Sequence, residues 1–127
     1  MTTVLAVDLG SASGRVLAGT LHDGRLVVTD IHRFKHQAQR REDGTLTWDV
    51  ATMEAETIVG LKKALERFPD ARTVSIDTWG VDWAPLDEDG SLIGDVVAYR
   101  DERTSRTLDN FRSRIADREF FDLTGNQ

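Results

Sequence analysis

Between Asp49 and Pro69 the apolar residues of this 127-residue chain recur at three- and four-residue spacings, whereas on either side they come in short β-branched runs. Val50, Met53, Thr57, Ile58, Leu61, Leu65 and Phe68 form one stripe, with Asp49 placed to cap the first turn and Pro69 to end the last. A single amphipathic helix is predicted there. A lone helix set among strands acts as a crossover, and a crossover returns the chain to the sheet parallel to a strand already laid down.

The strands before the helix read as a meander. Thr3 to Leu9 is an apolar run suited to a central strand covered on both faces, Arg15 to Leu21 alternates, and Arg25 to Phe34 is rich in Val, Thr, Ile and Phe. His22-Asp23-Gly24 supplies hairpin chemistry between the last two. Gln37 to Asp43 reads as a loop, and Thr45 to Trp48 as a short extended piece before the cap. After the helix, Thr73 to Trp79 is the returning strand, and Asp82 to Leu86 is extended up to the Asp89-Gly90 turn. Val96 to Tyr99 is one more short strand. Asp101 to Ala116 is a polar helix with Leu108, Phe111 and Ile115 on one face. Meander, crossover helix and returning strand give an α/β mixed sheet in the order of the ribonuclease-H-like fold.

The charge balance narrows the partners. Sixteen Lys and Arg against 22 Asp and Glu leave a formal net charge of -6, which supplies no electrostatic footprint for nucleic acid or an anionic membrane. Cysteine is absent, which removes disulfides, thiolate metal sites and thiol nucleophiles. One folded domain in the cytoplasm is the simplest expectation.

Two stretches carry chemistry. In VDLGSASGR an acid, Asp8, ends the first strand and is followed by Ser11, Ala12, Ser13, Gly14 and Arg15. GxGxxG and the Walker A pattern are both missing, and RVLAGTL after Gly14 reads as a strand, so a helix-dipole phosphate pocket is not supported. A hairpin turn whose amides and hydroxyls meet phosphate oxygens, with Arg15 as fixed charge and Asp8 holding hydrated magnesium, is chemically coherent. A solvated hairpin whose Asp accepts local backbone bonds is the competing reading. In SIDTWGVDW and VAYRDERT, Trp79 and Trp83 serve equally as core aromatics, and the Arg/Asp run equally as a solvated helix start. His32 and His36 lack a third metal ligand nearby. Lys62 and Lys63 fall on the polar side of the helix, and Trp48 either anchors the loop before it or lines a cleft.

Taken together, AVDLGSASGRV, HRF at residues 32–34, WDV at 48–50, SIDTWGVDW and VAYRDERT occur in the order and spacing of bacterial rhamnulokinases. The chain thus resembles the FGGY carbohydrate kinases of the actin, hexokinase and Hsp70 superfamily along its whole length. The resemblance implies transfer of the γ-phosphoryl group of MgATP to O1 of L-rhamnulose, a small-molecule sugar. It implies Asp8 as the acid that orients magnesium through water and Ser11 to Arg15 as the first phosphate loop. Gly80 matches the substrate-contacting position, with Trp79, Asp82, Tyr99, Arg100 and Asp101 as further candidates for shaping the sugar site and Asp77 as support.

The same resemblance implies two lobes and several hundred residues, so residues 1–127 correspond to the N-terminal part of the first lobe, with the second lobe absent. The family's general base, an aspartate, is expected beyond Gln127, and no residue here inherits that role. The expectation is an inactive N-terminal fragment of a sugar kinase. Rival readings are a kinase for another ketose or deoxy sugar such as xylulose or fuculose, and a stand-alone nucleotide-binding module. A third is a ribonuclease-H-like nuclease with Asp8 and Asp77 as two-metal carboxylates, against which the acidic charge argues.

Overall fold

The computed structural model describes residues 2–126. Its main sheet begins with β1 (Thr2–Leu9), β2 (Ser13–His22) and β3 (Arg25–Lys35), which pair antiparallel in sequence order. Asp23 and Gly24 both adopt positive φ, 50° and 75°, the two left-handed positions that a two-residue hairpin matched to strand twist requires. The chain then forms β4 (Gln39–Arg40), β5 (Leu46–Trp48) and the helix α1 (Val50–Arg67) before β6 (Val74–Thr78). β6 adds parallel to β1, so the sheet order is β3-β2-β1-β6, the predicted meander, crossover and return.

Asp49 caps α1: its Oδ1 accepts from the Thr52 amide at 2.9 Å. Along the helix the buried seam is Met53, Thr57, Gly60 and Ala64. It presses on Leu5, Val7, Val16 and Ala18, with Leu61 and Phe68 at its margin. Two stripe residues predicted to be covered, Ile58 and Leu65, are instead exposed by 44% and 47%. The reason is the closeness of the helix. A Cβ at Gly60 would lie 2.4 Å from Val16 Cγ2, so small residues form the seam and the larger ones are displaced to its flanks.

A second, three-stranded sheet has the order β4-β5-β7, with β7 at Val96–Val97. It carries its own apolar cluster of Trp48, Val96 and Ala98, joined by Leu46, Val50, Trp79 and Ala84. Gln37 to Asp43 is therefore not all loop, because Gln39 and Arg40 pair with Thr47 and Leu46. Asp82 to Leu86 forms no strand beyond a single bridge from Leu86 to Leu92. The predicted helix from Asp101 to Ala116 is the shorter α2 (Arg103–Arg112), and a further helix that the sequence pattern did not show, α3 (Asp117–Thr124), follows it. Ala116 turns extended at ψ 145° between them, and Gly125 ends α3 at φ 72°. Phe111 meets Phe120 edge-on at 5.1 Å across the break, a tertiary contact invisible to helical periodicity. Among the described residues no helix is long and apolar enough to cross a membrane.

Candidate functional site

The strand register builds a row of charges. Arg15 lies opposite Asp8, Asp8 beside Asp77, and Arg33 opposite Arg15. Their neighbours Val7 and Val16 are buried under α1, so alternation puts the charged row on the opposite face. Arg15 Nε donates to Asp8 Oδ2 at 2.7 Å, both side chains being about 40% exposed. An ion pair this wet adds little stability, but it orients both groups. The other carboxylate oxygen of Asp8 has no protein partner among the described residues.

The turn beside this row is short. The Gly10 amide donates to the Ser13 carbonyl at 3.0 Å, and the His36 amide to the Ala12 carbonyl at 3.3 Å. Among the described residues the hydroxyls of Ser11 and Ser13 and the amides of Ser11 and Ala12 make no hydrogen bond. They remain available as donors. Gly14 answers to packing as well, since a Cβ there would sit 2.2 Å from Phe34 Cζ.

The second group of sequence candidates separates into parts. Trp79 leaves β6 and packs on Trp48, ring centroids 4.9 Å apart, and on His36, stacked at 5.8 Å. Asp82 Oδ2 accepts from Trp48 Nε1 at 2.7 Å and also from Trp79 Nε1. Gly80 follows this anchor, and a Cβ on it would meet nothing within 4 Å; neither packing nor a left-handed backbone demands glycine there. Asp101 is committed to backbone: it is buried, Oδ2 accepting from the Leu46 amide at 2.8 Å and Oδ1 from the Arg103 amide at 2.9 Å. Those two bonds hold its carboxyl below the usual carboxylate range. Arg100 donates to the Tyr99 hydroxyl at 2.9 Å and lies over its ring, both exposed.

From the sequence His36 stands out only as a metal-ligand candidate without a third ligand nearby. The structure places its ring within 6.0 Å of Phe34, Trp48 and Trp79, with both ring nitrogens buried and without a hydrogen-bond partner among the described residues. Burial lowers its pKa, opposed in part by the nearby Gly10 backbone. The spacing of two from His32 to Phe34 to His36 was the available signal for a shared face. His32 has a different role, its Nε2 meeting Glu56 on α1 at 2.6 Å.

The sequence pattern of the N-terminal domain of the FGGY family of carbohydrate kinases matches residues 3–127. The chain belongs to this family. Among FGGY relatives it is similar to the rhamnulokinase of Bacillus subtilis, 36% identical over 96% of this chain, and to that of Enterococcus faecalis, 37% identical over 98%. In both cases it spans 25% of the relative's length. Of solved structures it is similar to a xylulose kinase from Rhodospirillum rubrum, with TM-score 0.75, 16% identity and coverage of 94% of this chain and 25% of that one. A gluconate kinase from Lactobacillus acidophilus gives TM-score 0.71 at 11% identity, covering 89% of this chain and 23% of that one. The ribonuclease-H-like α/β architecture is thus the FGGY fold, and at these identities the structural likeness concerns the fold alone.

Proposed function

We propose that residues 1–127 form the N-terminal part of the first lobe of a cytoplasmic rhamnulokinase. In this reading the second lobe belongs to the three quarters of the relatives' length that the chain does not span. The reaction is transfer of the γ-phosphoryl group of MgATP to O1 of L-rhamnulose. The observation that carries the reading is the Arg15, Asp8, Asp77 row beside the unpartnered hydroxyls of Ser11 and Ser13. Identity to rhamnulokinases over nearly the whole chain supports the choice of sugar.

Within that reading the residues divide the work. Ser11, Ala12, Ser13 and Gly14 bind phosphate oxygens through amides and hydroxyls, and Arg15 adds a fixed charge held in place by Asp8. The donor set suits magnesium: Asp8 offers a hard oxygen free of protein partners, and Mg²⁺ takes one or two carboxylates with waters and phosphate oxygens. When bound, the ion neutralises charge on the transferring phosphoryl group. Gly80 leaves its backbone open to the sugar, with Trp79, Tyr99 and Arg100 as candidates for the wall around it, while Asp82 holds the Trp48 and Trp79 indoles and Asp101 the Leu46 and Arg103 amides. The aspartate that accepts the sugar's proton lies past Gln127. Phosphoryl transfer depends on positioning from both lobes, so this segment alone turns over little.

ADP release from MgATP with L-rhamnulose, measured on this segment and on the full-length kinase carrying it, tests the reading. Activity only in the longer protein is the expected result. Turnover by residues 1–127 alone near that of the whole enzyme overturns the division of labour, and activity with xylulose or fuculose but not L-rhamnulose overturns the sugar.

A further inference from the structure

Asp82 is placed to govern the sugar contact without touching the sugar. One of its oxygens, Oδ2, takes the indole protons of both Trp48 and Trp79. Trp48 ends β5 and is buried against Val96 and Ala98, so its indole is a fixed point. Trp79 directly precedes Gly80 in a segment with no regular secondary structure. The carboxylate therefore ties the irregular chain after β6 to the second sheet. His36 closes the assembly from the other side: its ring stacks on Trp79, and its amide bonds the Ala12 carbonyl of the phosphate turn.

We propose that Asp82 is a positioning residue that sets the height and direction of the Trp79-Gly80 peptide, so that sugar affinity depends on it and ATP affinity does not. The proposal rests on the reading of Gly80 as the sugar contact. A half-buried indole N–H left without an acceptor is costly, and Trp79, the less buried of the two rings, is the one free to turn outward for water, carrying Gly80 with it. An asparagine oxygen also has two lone pairs and can accept both protons, whereas alanine accepts neither.

Steady-state kinetics of the full-length kinase with Asp82→Ala, Asp82→Asn, Trp48→Phe and Gly80→Ala test this. Asp82→Ala is expected to raise the KM for L-rhamnulose about tenfold, the equivalent of one charge-assisted hydrogen bond, while the KM for ATP stays within about twofold. Asp82→Asn recovers most of the loss. Trp48→Phe removes one donor and keeps the ring, and the double variant Asp82→Ala/Trp48→Phe is no worse than Asp82→Ala because both act through the same bond. Equal rises in both KM values, or a fall in kcat alone, overturn the proposal. Gly80→Ala separates the two layers: an unchanged sugar KM overturns the Gly80 reading, while a raised one beside an unaffected Asp82→Ala overturns only the positioning role. If Asp82→Ala does not fold, Trp48→Phe carries the test, with the same split between sugar and ATP.

Discussion

Gly60 of α1 lies close over Val16 of β2, and this contact makes a prediction whose sign is informative. In an exposed helix interior, replacing glycine by alanine stabilises by about 1 kcal/mol, because alanine has the higher helix propensity. At Gly60 the new methyl would lie 2.4 Å from Val16 Cγ2, 2.9 Å from Val16 Cβ and 3.1 Å from His32 Cβ. Val16 is completely buried and its branched Cβ is stiff, so relief has to come from a shift of the helix. Overpacking of this kind costs about 1–3 kcal/mol. The difference leaves Gly60→Ala destabilised by about 1 kcal/mol, a Tm lower by about 3–5 °C for a chain of this size. Urea unfolding followed by circular dichroism at constant pH reads it directly. In a Val16→Ala background the obstructing methyls are gone, and the same substitution should become neutral or stabilising, a coupling of about 1–2 kcal/mol. A Gly60→Ala chain that melts higher than the parent, with no coupling to Val16, would refute the close-packing argument.

Further expectations follow from the site and from the titrating groups. Asp8→Asn in the full-length kinase should abolish magnesium-dependent phosphoryl transfer while the circular dichroism spectrum stays that of the parent; retained activity sinks the assignment. His36 has a pKa lowered by burial, so below about pH 6.5 the unfolded chain binds the proton more readily than the folded one, and stability falls as pH drops through that range. His36→Phe keeps an aromatic ring in the stack and should flatten that part of the urea midpoint against pH; an unchanged slope contradicts the burial argument. Asp101 has a pKa lowered by its Leu46 and Arg103 amide bonds. Its contribution is present above the ordinary carboxylate value and is lost as pH falls through the folded one. Asp101→Ala should speed amide hydrogen exchange at Leu46 and Arg103 at neutral pH, and unaltered exchange there would show that the two bonds do not form in solution.

Local chemistry was enough to read the Asp23-Gly24 hairpin, the Asp49 cap, the span of α1 and the alternation of β2, because each depends on neighbours within a few residues; β1, expected to be covered on both faces, instead alternates, with Val4 exposed. It also brought Asp8 and the Ser11 to Arg15 turn into view, since an acid at a strand end before a small-residue turn is itself a local pattern. The early end of α2 and the whole of α3 escaped, because the Phe111 and Phe120 contact that accompanies them joins residues on separate helices.

By itself the sequence determined the order of the main-sheet strands about α1, the crossover and the identity of the charged turn, all of which follow from periodicity and turn residues. Only the tertiary structure decided that Arg15 spends its Nε on Asp8, that Asp77 stands beside Asp8, and that Gly60 and Ala64 rather than Ile58 and Leu65 form the helix seam. It also turned Asp82, Trp48, Trp79 and His36 from separate letters into one assembly. These are matters of register and interaxial distance between segments up to 69 residues apart, such as Asp8 and Asp77, and no local pattern encodes where two such segments meet.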